Sequence, residues 1–181
     1  MTRPLSSSAM GLVLVALIAA LAGALGCEPG LSDPREKPAL DLAFFRCHVQ
    51  PVLVARCGSL LCHGNQERFF RLFGRNRFRP LLGADENRKR NTPLSDKEVQ
   101  FNFDSALGYV DASAPDESYL LKKPLDQRAY GLYHGGATEY GQGDVFRGTG
   151  DPGYETIREW IGGAVEADQA CAEPGAGGPT P

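Results

Sequence analysis

Beyond Met10 the chain has no methionine, and its 181 residues include one tryptophan and three histidines. With methionine confined to the first ten residues, cysteine and histidine are the soft and borderline metal donors that remain. An excess of positive charge is missing too. The chain carries 19 Lys+Arg against 22 Asp+Glu, a formal charge of -3, so nucleic acid is not an expected partner. The sequence offers no paired carboxylates, no hydroxyl nucleophile beside a base and no phosphate-cradling glycine loop, and nothing in it predicts an enzyme. No segment repeats.

Charge is absent altogether between Arg3 and Cys27, where residues 9–25 are almost unbroken apolar or small side chains. A basic start, an apolar stretch and small residues at its end predict an export signal over residues 1–26. The stretch lies at the lower edge of what spans a bilayer, and no cluster of Lys or Arg follows it as a stop-transfer signal. Ala24-Leu25-Gly26-Cys27 resembles the end of a bacterial lipoprotein signal. That resemblance implies acylation of Cys27 and anchoring to a membrane of the cell envelope. Cleavage after Ala24, giving a simple secreted protein, also fits the Ala22/Ala24 pair.

Residues 27–40 are rich in proline and charge without an apolar period and predict a tether, and residues 173–181 predict a disordered Gly/Pro tail. Between them, residues 41–172 form one domain's length. The first helix is expected over 41–56, where Phe44, Phe45, His48, Val49, Val52 and Leu53 recur at helical spacing, with a kink or fresh start at Pro51. Phe69, Phe70, Leu72 and Phe73 predict a short strand within an irregular, Arg-rich stretch. Ser95-Asp96-Lys97-Glu98 is a capping box that should open a helix ending near Leu107. A short helix is expected over 115–122, and a glycine-rich loop over 130–150. Asp151-Pro152 should start the last helix. Its Tyr154, Ile157, Trp160 and Ile161 lie along one face, to pack against the first helix. The fold class is mainly α, with long irregular loops.

The residues that carry chemistry are Cys57-Gly58-Ser59-Leu60-Leu61-Cys62-His63-Gly64. Two thiols with a histidine directly after the second are what covalent attachment of haem c requires: the thiols add to the two vinyl groups and the imidazole reaches the iron. On a regular helix five positions turn the chain by about 500°, leaving the thiols roughly 140° apart. The chain must therefore leave the helix at Gly58-Ser59. Exported cysteines also form disulfides, and a Cys57–Cys62 staple fits the same cluster. If Cys27 is acylated, haem attachment leaves Cys47 and Cys171 as an even pair for a disulfide. An all-disulfide arrangement is even as well, so parity does not decide.

Two other histidines could face the iron. His134 precedes Gly135-Gly136, which let the backbone approach a flat cofactor closely. His48 lies among apolar neighbours of the first helix, where a packed side chain is expected. The run Arg68, Arg71, Arg75, Arg77, Arg79, Arg88, Lys89 and Arg90 fits solvated loop surface, or a docking face for an acidic redox partner.

The sequence from Phe45 to Gly64, F-x-x-x-V-x-P-V-L leading into R-C-x-x-x-x-C-H-G, resembles the small c-type cytochrome domains of planctomycete and myxobacterial envelope proteins. Ser118-Tyr119-Leu120-Leu121-Lys122-Lys123-Pro124, His134-Gly135-Gly136 and the stretch from Tyr154 through Trp160-Ile161 to Gly163-Ala164 follow in the order of that family's later motifs. The resemblance implies a cytochrome c-like helical domain holding one covalent haem through Cys57 and Cys62. It implies axial ligands His63 and His134, and electron transfer with an envelope redox protein. The rival expectation is a disulfide-stapled envelope lipoprotein without haem, with a binding or structural role.

Overall fold

The computed structural model describes residues 37–77, 79, 91–135, 144–168 and 171. The expected signal over 1–26, Cys27, most of the tether, Arg88 to Arg90 and the tail over 173–181 lie outside the described residues.

The first helix is continuous but changes register. Helix α1, Leu42–Phe44, runs into a π-helical stretch, Phe45–Val49, and then into α2, Gln50–Arg56. Pro51 has no N–H and its ring crowds the carbonyl four residues back. The chain widens the turn ahead of it: the Gln50 N–H donates to Phe45 O, five residues back. The disruption expected at Pro51 is thus absorbed one turn earlier, as a π-bulge. The wider turn also faces neighbouring side chains inward, so that Phe45, Arg46, Cys47, Val49 and Gln50 are all buried.

Helix α3, Asp96–Leu107, begins at the expected capping box, with Glu98 Oε2 accepting from the Ser95 N–H at 2.8 Å and from its hydroxyl at 2.9 Å. The helix expected over 115–122 is two pieces, a 3-10 turn at Pro115–Glu117 and α4, Tyr119–Lys122. They part at Ser118, whose side-chain oxygen accepts from the Asp111 N–H at 2.9 Å. Helix α5, Pro152–Ile161, is capped by Asp151, which accepts from the Gly153 N–H at 2.8 Å.

The strand expected around Phe69 to Phe73 does not form. Among the described residues the β contact is one isolated parallel bridge, Leu125 with Phe146. The backbone of the Phe69 segment is claimed by side chains instead. Asn102 brackets Phe73, accepting from its N–H at 2.8 Å and donating to its carbonyl at 2.9 Å. A segment whose polar groups are satisfied this way has nothing left for a ladder. The described part of the chain is mainly helical.

The core joins the first and last helices, as the apolar spacing predicted. Trp160 is fully buried; it packs on Phe45 at 5.1 Å and Phe103 at 5.7 Å between ring centroids, and its Nε1–H donates to Asp41 O at 3.0 Å. Tyr154, Ile157 and Ile161 fill the same core. A disulfide between Cys47 and Cys171, 124 positions apart, ties the π-helical stretch to the chain beyond α5.

Candidate functional site

Helix α2 stops where the cysteine cluster begins. The Cys57 and Gly58 N–H groups both donate to Leu53 O, at 2.8 and 3.0 Å, and the chain then leaves the helix at Gly58-Ser59, as the thiol spacing demanded. It turns back on itself: the N–H groups of Cys62 and Gly64 donate to Ser59 O, and that of His63 donates to Cys57 O at 3.0 Å. Gly64 is required for this closure, because a Cβ there would stand 2.3 Å from Gly58 O. Cys57 is buried and Cys62 half-buried, and both are thiols rather than a disulfide. Burial, reinforced by negative charge from Cys62 and Asp144, pushes the Cys57 thiol up to about 12, so it stays protonated at neutral pH.

His63 is oriented by the segment that failed to become a strand. Its Nδ1 lies 2.9 Å from Phe70 O, and its ring meets the Phe70 ring edge-on. A carbonyl only accepts, so Nδ1 carries the proton and neutral His63 keeps its lone pair on Nε2. Burial lowers the pKa of His63 and favours that neutral form.

His134 comes from a separate loop, held by the Leu132 N–H on Lys122 O at 2.8 Å and the Gly131 N–H on Asp126 O at 3.1 Å. Gly131 is pressed so close to Leu125 that no other residue fits there. His134 Nδ1 lies 2.8 Å from Asp144 Oδ1, whose side chain is 2% exposed. The Leu125–Phe146 bridge brings Asp144 to this position. The two imidazole rings lie 8° from parallel with centroids 6.1 Å apart. Cys57, Cys62, His63 and His134 thus occupy neighbouring elements, and the histidines face each other across a gap.

His48 is elsewhere. It is exposed, rests on the Phe44 ring and pairs with Glu166, beside the Cys47–Cys171 disulfide. The described part of the basic run is not one surface. Arg79, with its side chain 5% exposed, is buried against Glu98, while Arg71 lies over the Phe101 ring and Arg75 donates to Asn91.

Two cysteines and two histidines could also suggest tetrahedral zinc, which needs four donor atoms converging on one point. Among the described residues the one trio with donor atoms that close is Cys47, Glu166 and Cys171, and its sulfurs are spent in the disulfide. The donors of the Cys57–His134 group do not converge.

Sequence patterns missed Asp144 and the Phe70 carbonyl. Neither carries a signal: one is an isolated acid in a glycine-rich stretch, the other a backbone atom. No family model matches the chain, and no curated protein or solved structure matches it.

Proposed function

We propose that this chain is a monohaem c-type cytochrome of the bacterial envelope, with a cytochrome c-like domain anchored through lipid on Cys27, passing single electrons to and from an envelope redox protein. The observation that carries this reading is the pairing of His63 and His134, each with Nδ1 engaged and Nε2 left for a metal. The two rings lie 8° from parallel with centroids 6.1 Å apart, close enough for both imidazoles to serve one metal. Exposed Leu60, Leu61, Phe69, Leu132 and Tyr133 flank the two histidine segments in sequence and offer apolar surface for a flat macrocycle to cover.

In this reading Cys57 and Cys62 would hold the haem through thioethers, and His63, next to the second anchor, and His134 would ligate its iron, in a chain whose export would leave it no methionine. Bound haem supplies a one-electron ferric/ferrous couple, and two histidines set a lower potential than a His/Met pair.

The test is to produce the full chain in cells with c-type haem maturation machinery. Haem should survive denaturation on the protein, with a c-type haemochrome spectrum, and intact mass should show residues 1–26 replaced by lipid on Cys27. His63→Ala should abolish normal assembly. His134→Ala should keep haem attached but give a high-spin spectrum that responds to carbon monoxide, and His48→Ala should leave it low-spin. Wild-type protein without covalent haem, and with Cys57 joined to Cys62, would overturn the reading in favour of a disulfide-stapled lipoprotein.

A further inference from the structure

The two histidines of the site are not supported alike. His63 is backed by a neutral carbonyl, Phe70 O at 2.9 Å, whereas His134 is backed by a carboxylate, Asp144 Oδ1 at 2.8 Å. That carboxylate is 2% exposed. Its Oδ1 also accepts from the Val145 N–H at 2.8 Å, while its Oδ2 is buried with no hydrogen-bond partner. A buried carboxylate oxygen left without a donor is costly unless something nearby is stabilised by its charge. No Lys or Arg pairs with Asp144 among the described residues; its side-chain partner is the imidazole of His134.

We propose that Asp144 is a positioning residue for His134: it fixes the Nδ1–H tautomer, aims Nε2 at the metal, and makes this imidazole the stronger donor of an unequal axial pair. The inference rests on the haem reading above. A carboxylate behind a ligating histidine raises its basicity and locks its orientation. A stronger donor and an uncompensated buried negative charge both stabilise the ferric over the ferrous state, because the oxidised centre carries one more positive charge. Asp144 therefore sets the potential through His134 without touching the metal. Asn at position 144 could still accept the Nδ1–H bond, so orientation and charge are separable by substitution.

The experiment uses the haem-loaded full chain and measures midpoint potential and spin state together. Asp144→Asn should stay low-spin but shift the ferric/ferrous equilibrium at least tenfold toward ferrous, a rise of about 59 mV for one electron. Asp144→Ala should lose the orientation as well and admit carbon monoxide, and Asp144→Glu should recover the lower potential in part. Should the Asp144 variants not fold, His134→Gly protein supplied with free imidazole or 1-methylimidazole reports on the same contact. Only imidazole keeps an N–H to donate to Asp144, so its complex should have the lower potential. Wild-type potential in Asp144→Asn, or equal potentials for the two added ligands, would overturn the role of Asp144 while haem binding stands. Absence of covalent haem from the wild type is read independently, from the haemochrome spectrum, and removes both proposals.

Discussion

Access and ionisation govern thiol reactivity, and both hold Cys57 back. Cys57 is 7% exposed, and burial pushes its pKa up to about 12, while Cys62 lies half-buried on the turn. Only the thiolate attacks an alkylating agent. In folded cofactor-free protein, iodoacetamide should modify Cys62 first and leave Cys57 unlabelled until denaturant is added, as peptide mass spectrometry would read; equal labelling rates would contradict the buried position. Gly64→Ala should disturb the same loop, because the new methyl meets Gly58 O and neither backbone can yield cheaply. At this scale the sequence singled out Cys57, Cys62, His63 and His134, and the structure brings the His63 and His134 rings to 6.1 Å between centroids. The sequence did not single out Asp144, because its bond to His134 spans ten residues of loop with no period to betray it.

Helix α3 owes its start to Glu98, which serves the capping box and the Arg79 guanidinium at once. Both side chains of that pair are nearly buried, at 5% and 4% exposure. Burial alone would raise the pKa of Glu98, but its bonds to Arg79 and Ser95 outweigh it and hold the carboxyl below its ordinary 4.5. A depressed folded value means that the unfolded chain binds the proton more readily. The stabilisation is therefore complete above about pH 4.5 and is lost as pH falls through the folded value. Glu98→Gln should cost about 1.5–3 kcal/mol at neutral pH by taking the carboxylate away from the Arg79 guanidinium and from the Ser95 cap. It should also flatten the acid limb of stability against pH in urea titrations. Helix starts were readable because caps are local: Ser95 and Asp151 both begin helices where their side chains predict. The Phe69 segment was misread because its apolar run satisfies strand propensity, while its backbone partners, Asn102 and His63, are distant in sequence. The Pro115–Lys122 stretch split for a similar reason, Ser118 turning to Asp111 instead of continuing a helix.

Across the whole molecule, Trp160, packed on Phe45, and the Cys47–Cys171 disulfide both tie the far end of the domain to the π-helical stretch. The packing half of this was legible in the spacing of α5; the π-helical stretch that presents Cys47 was not, since Pro51 announces a disruption but not its form. Closing a loop of 124 residues should stabilise the fold by about 4–5 kcal/mol on chain-entropy grounds. Replacing both cysteines by serine should lower the urea midpoint accordingly, and non-reducing peptide maps of the wild type should contain the Cys47–Cys171 pair. That pairing also has a consequence for biogenesis. On the proposed export, a chain that emerges amino terminus first exposes Cys47, Cys57 and Cys62 long before Cys171, so an oxidising compartment would meet three neighbouring thiols whose quickest bonds are the wrong ones. The native connection then waits on the last cysteine to arrive. Either the middle two are occupied early or a thiol exchange catalyst must undo the first choice.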